Sequence, residues 1–177
     1  MKQLRLAIEE SGFESIGEFD PTLLKVRQEV RDMCEVNTCR RYNTSWSCPP
    51  ALDSLEVFQE KLTSYAGGYV YQTIAMMQDE FDYESIQEAQ VLFTERFDRL
   101  RDKAKDIPSK IALFTAGHCK LCETCSYPHE PCVHPDMMFP SLEACGLVVS
   151  DVCQLAEVPY YHGPKTIAFI GAALYHG

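Results

Sequence analysis

Four cysteines and two histidines crowd into "CKLCETCSYPHEPCVHP", residues 119–135. Thiols at that density pair as disulfides, hold zinc or ligate an iron–sulfur cluster. Cys119, Cys122 and Cys125 follow one another as C-x2-C-x2-C, a run that lets the chain wrap a compact cube with three thiolates pointing inward, as in the opening of the bacterial ferredoxin pattern. Zinc knuckles also use C-x2-C pairs, but a tetrahedral site draws two ligands from each of two separated knuckles, so a third adjacent cysteine is superfluous. The spacing therefore leans towards [4Fe-4S]. The ferredoxin run places its fourth cysteine after three intervening residues and before a proline, whereas here six residues separate Cys132 from Cys125, and Val133, His134 and Pro135 follow it. Cys132 either closes the same cluster or serves another.

A second group, Cys34, Cys39 and Cys48, lies in "CEVNTCRRYNTSWSCPP". Proline after the last cysteine fixes the backbone and withholds an amide donor. Arg40, Arg41, Tyr42 and Trp46 stand between the thiols, where arginines offset thiolate charge and aromatics shield a cluster, although Tyr42 and Trp46 also suit an ordinary core. Three cysteines are one short of a tetrahedral or cubane set. Either a fourth ligand arrives from Cys132, Cys145, Cys153, His118 or His134, or one iron stays open as a Lewis-acid position. Cys145 and Cys153 read as small buried hydrophobes, and His118 and His134 as hydrogen-bonding neighbours of the ligands.

These readings presuppose reduced thiols. The amino end turns acidic within ten residues and lacks a small-residue cleavage site, so no signal peptide is expected. No apolar run reaches the roughly 18 residues of a membrane span, and a cytoplasmic protein is expected. Nine cysteines are an odd count, and a reducing compartment disfavours pairing them. Acidic residues outnumber basic ones by 26 to 16, for a net charge of −10, which excludes phosphate-backbone binding and so nucleic acid. "GFESIGEF" and "FIGAALYHG" lack the spacing of a phosphate loop, and no nucleophile elbow or kinase set occurs.

The elements that must position these thiols alternate along the chain. Pro21 opens a helix carrying Leu23, Val26, Val30 and Cys34 on one face, with Cys34 turned inward at its end. A second helix runs from Asp53 or Ser54 to Tyr65, stopped by Gly67-Gly68, and a strand follows over Tyr69–Met76. Ile86, Ala89, Phe93, Phe97, Leu100 and Ala104 mark a helix between Glu84 and Lys105. Lys110–Thr115 reads as a strand entering the cysteine loop, Ser141 to about Glu157 as helical, and Thr166–Leu174 as a final strand. One domain over 1–177 is expected, α/β or α+β, with a small mixed sheet covered by helices and the cysteine loops outside it.

The two cysteine segments together resemble a domain-of-unknown-function family of bacterial and archaeal proteins described as predicted metal-binding. Cys34, Cys39, Tyr42, Trp46, Cys48, Pro49 and Pro50 match its first part. Cys119, Cys122, Cys125, Cys132, His134, Pro135, Pro140, Ser141, Glu143, Ala144 and Gly146 match its second. The resemblance implies metal or iron–sulfur binding without an assigned reaction, and departs at Glu130, acidic where a basic residue is expected before "HP". The residues and the resemblance together lead to one or two [4Fe-4S] clusters on the seven cysteines, serving electron transfer to a redox partner protein or chemistry at an open iron. A zinc-stabilised interaction module is the alternative.

Overall fold

In the strand Gly67–Met76, Tyr69 and Tyr71 bury on one side and Val70 on the other, so both faces of the sheet must be covered. The computed structural model describes residues 2–79 and 81–177. Its elements are α1 (Lys2–Ser11), β1 (Ser15–Phe19), a 3-10 turn at Pro21–Leu23, α2 (Gln28–Glu35), α3 (Leu55–Leu62), β2 (Gly67–Met76), α4 (Tyr83–Ala104), β3 (Ile111–Phe114), 3-10 turns at Pro135–Met137 and Glu143–Cys145, α5 (Val149–Leu155) and β4 (Thr166–Tyr175). The strands form one sheet in the order β1-β2-β4-β3, antiparallel throughout, which makes the mixture of helix and strand an α+β one.

Tyr69, Tyr71, Leu113 and Ala173 pack beneath Leu4 and Ile8 of α1 and Phe93, Phe97 and Leu100 of α4. The opposite face sets Val70, Phe114, Ile170, Ala172 and Leu174 against Phe58 and Leu62 of α3, Val152 and Cys153 of α5, and the turn residues Leu142 and Cys145. Helix α4 starts where Asp82 accepts from the Ser85 N–H at 3.0 Å and ends with Arg101 and Lys103 beside its negative pole. Ser54 caps α3 in the same way.

Three expected elements change. No helix starts at Pro21. A single 3-10 turn gives way to extended chain, because Val26 N–H donates to Gln59 Oε1 (3.0 Å) and Arg27 N–H to the Gly146 carbonyl (2.8 Å). The helix that follows is the short α2, with no buried residue, and Cys34 is half-exposed on it, not turned into the core. The helical stretch from Ser141 is divided at Gly146, whose φ of 80° ends the turn at Glu143–Cys145 before α5 begins. Gly67 and Gly68 lie inside β2, where a Cβ on Gly68 would meet the Phe19 ring at 2.7 Å. Helix α1 and strand β1 add to the elements expected from the sequence.

Strand β3, which delivers the second cysteine loop, is held from two strands away. The fully buried Tyr71 hydroxyl lies 2.8 Å from the Phe114 carbonyl and 3.2 Å from that of Ala172, its donor shared between them. Burial pushes this phenol well above its ordinary 10.0. Tyr71→Phe leaves two buried carbonyls without that donor and should cost about 1–2 kcal/mol in urea unfolding. An unchanged midpoint would show that β3 is fastened by other contacts.

Candidate metal centre

Helix α2 carries the first cysteine group to its end, and strand β3 runs into the second. Between α2 and α3, and between β3 and Pro135, the described chain has no helix or strand. Left-handed residues fold the first loop instead: Asn37, Arg40 and Asn43 have φ of 61°, 58° and 56°. Asparagine tolerates that region better than most side chains. Asn37 Oδ1 accepts from the Tyr42 N–H at 3.0 Å, and the Asn43 N–H donates to the Pro49 carbonyl at 2.8 Å.

Cys34, Cys39 and Cys48 are electrostatic neighbours. Burial pushes the Cys34 thiol above its ordinary value, the thiols of Cys39 and Cys48 and the Glu143 carboxylate add to this, and Arg31 opposes it. Cys48 is buried and Cys39 exposed.

The second group gathers around a cavity of about 30 Å³ lined by Cys119, Cys122, Cys125 and Cys132. Leu121, Val133 and Met138 give it apolar walls, His134 also lines it, and Ser45, Trp46 and Ser47 close it from the first loop. The structure thus brings Cys132 to the same cavity as the C-x2-C-x2-C run. Burial raises the Cys119 thiol, backbone N–H groups of Leu121 and Phe139 bonded to its sulfur lower it, and Cys122 and Cys132 raise it again.

The loops are tied together by contacts that no local spacing announces. Cys119 N–H donates to Ser47 Oγ at 3.1 Å, and Trp46 Nε1–H to the Glu130 carbonyl at 3.2 Å. The Tyr127 hydroxyl donates to Asn43 Oδ1 at 2.6 Å, and the Trp46 and Tyr127 rings meet edge-on at 4.9 Å. Ser47, Asn43 and Tyr127 were not among the expected site residues, because their partners lie 72 to 84 residues away.

Outside the thiol cavity, Cys119, Cys122 and Cys125 also line an open depression with Arg41, His118, Lys120 and Glu123. His118 is held below its ordinary value by burial first, then by the charges of Arg41 and Lys120. Cys145 and Cys153 belong to the core instead.

Among the described residues no three histidine, cysteine or acidic side chains converge on one ion-sized point. The four thiols share a cavity without forming a rigid cage, so closing on a metal draws in chain that has no regular structure to resist it. The donor set nonetheless fits: four sulfurs beside one imidazole, His134, with apolar side chains as walls and N–H groups bonded to Cys119 sulfur, suit thiophilic metals and iron–sulfur clusters.

A family described as "Predicted metal-binding protein (DUF2284)" matches residues 17–175. The chain belongs to this family. Neither a curated protein nor a solved structure matches it. Because the DUF2284 match takes in both cysteine groups and all four strands from Gly17 onward, the loops and the sheet that delivers them are features of one family unit.

The thiols differ in burial, from the exposed Cys39 to the buried Cys145 and Cys153. Burial pushes Cys145 up to about 12, so at pH 8 only about one molecule in ten thousand carries its thiolate. Iodoacetamide applied to the metal-free native protein should label Cys39 first and leave Cys145 and Cys153 unlabelled in peptide mass maps. Labelling of Cys145 as fast as Cys39 would contradict this burial. Since the folded value lies above the ordinary 9.0, the contribution of Cys145 to stability is complete below pH 9.0 and is lost as pH rises through about 12. Circular dichroism should show stability falling across that window.

Proposed function

We propose that this protein is a cytoplasmic iron–sulfur protein of one domain, holding one cluster on Cys119, Cys122, Cys125 and Cys132 and a second on Cys34, Cys39 and Cys48. The observation that carries the reading is the shared cavity of four thiols, apolar on its walls and closed by Trp46 and Ser47. When bound, a [4Fe-4S] cluster supplies a one-electron redox centre, and an iron without a fourth thiolate supplies a Lewis-acid position.

The chain's own residues have definable parts in this reading. Leu121, Val133 and Met138 supply apolar walls beside the four thiols. Ser47 holds the Cys119 backbone, and Trp46 anchors the loop beyond Cys125 through Glu130. Arg31 draws Cys34 towards its thiolate. Arg41 and Lys120 offset thiolate charge at a depression that Glu123 also lines. A redox partner protein would dock at this depression, where the thiol-bearing loop is open to solvent. Nucleic acid is not among the expected partners, and no helix among the described residues is long and apolar enough to cross a membrane.

Protein purified without oxygen should be brown, absorb near 400 nm and carry on the order of four irons and four sulfides per cluster. Cys122→Ser and Cys39→Ser should each lose about half of the iron if two clusters are present, whereas Cys122→Ser loses nearly all if there is one. Colourless protein with stoichiometric zinc and no iron would replace this reading with a zinc-stabilised module.

A further inference from the structure

Ser47 stands between the two cysteine groups. It is fully buried, and Ser45 beside it nearly so. Three groups surround the Ser47 hydroxyl: the Cys119 N–H at 3.1 Å, Ser45 Oγ at 3.1 Å and the Cys48 sulfur at 4.0 Å. Cys119 belongs to the group that shares the thiol cavity, whereas Cys48 belongs with Cys34 and Cys39 and is the one buried thiol of those three. A buried thiolate needs a donor, because water cannot solvate it.

The donors present fix the direction of each bond. A serine hydroxyl carries one proton and two lone pairs, and the Cys119 N–H occupies one lone pair of Ser47. Ser45 Oγ has Ser47 as its one hydrogen-bond partner among the described residues. If Ser47 donated to it, the Ser45 proton would be buried without an acceptor and the Cys48 sulfur would lose its hydroxyl donor. With Ser45 donating to the second lone pair, the Ser47 proton is left for the Cys48 sulfur and every member is satisfied. A metal-bound thiolate only accepts, so loading the first group enforces this direction.

We infer that, with the thiols holding iron–sulfur clusters as proposed above, Ser47 is the positioning residue that sets the reduction potential of the centre on Cys34, Cys39 and Cys48. Hydrogen bonds to the sulfurs are among the determinants of a cluster's potential, since reduction adds negative charge that a donor stabilises. The Ser47 O–H therefore favours the reduced state of the first centre. The same oxygen receives the Cys119 N–H, so the group that tunes one centre also holds the backbone of the other.

The test is a potentiometric titration followed by electron paramagnetic resonance on full-length protein purified without oxygen, with Cys39→Ser and Cys122→Ser assigning each signal to its centre. Ser47→Ala should move the midpoint of the first centre to a more negative potential, and Ser47→Thr, which keeps the hydroxyl, should restore it. Trp46→Phe breaks the neighbouring bond to Glu130 but leaves the hydroxyl in place, so it should keep the wild-type midpoint. An unchanged midpoint in Ser47→Ala, or an equal shift in Trp46→Phe, would overturn the inference. If Ser47→Ala loads no iron, Cys122→Ser decides instead: the iron–sulfur stretching bands of its remaining centre should shift in deuterated water, and bands that stay in place defeat the proposed donor. Iron and zinc quantitation on the same samples separates the two claims. Iron-loaded protein whose first midpoint ignores Ser47 defeats this inference alone, whereas protein holding only zinc defeats the cluster reading with it.

Discussion

The hydrogen bond from the Cys119 N–H to Ser47 Oγ, 3.1 Å long, joins two loops that lie 72 residues apart in the chain. One is delivered by α2 and the other by β3, and neither contains a helix or strand to fix its own shape. The edge-on contact of Trp46 with Tyr127 and the bond from Trp46 to Glu130 repeat the link nearby. Without this seam four thiols would lie on a free loop. With it they line a cavity walled by both segments, and the sheet below needs only to present the two loop ends at one side.

The sheet does so by fastening its edge. Strand β3 is four residues long and pairs on one side only, a weak position unless something else holds it. Tyr71 supplies that, reaching from β2 beneath β4 to the Phe114 carbonyl, and Gly171 makes room: a Cβ there would stand 2.4 Å from the Tyr71 ring. A buried core of aromatic side chains thus sets the starting point of a polar, irregular loop. Thr115 then donates to the Pro140 carbonyl, which closes the base of the loop by backbone alone.

Elements whose burial repeats with a local period were legible in the sequence. Phe93, Phe97 and Leu100 mark α4 because one face of it meets a continuous core, whereas β2 is marked by its run of β-branched and aromatic residues, buried on both faces of the sheet. The segment after Pro21 was not legible in the same way. Its apolar residues fit a helical stripe, yet Val26 and Arg27 give their N–H groups to Gln59 and Gly146, and no nearby residue signals those partners. "GFESIGEF" lacks the spacing of a phosphate loop, and its Gly17 takes a strand position packed so closely on the Ala156 carbonyl that no side chain fits. The candidate site divides in the same manner. Spacing groups the cysteines, since ligands to one centre come in short runs, while Ser47, Tyr127 and Arg31 take their roles from distant contacts.

The central claim is that the gathered thiols hold iron as a cluster. X-ray absorption at the iron edge, on protein purified without oxygen, tests it most directly. The account predicts a shell of sulfur neighbours and a second shell of iron neighbours, both diminished in Cys122→Ser. An iron-free sample with a zinc edge and a single sulfur shell would contradict it.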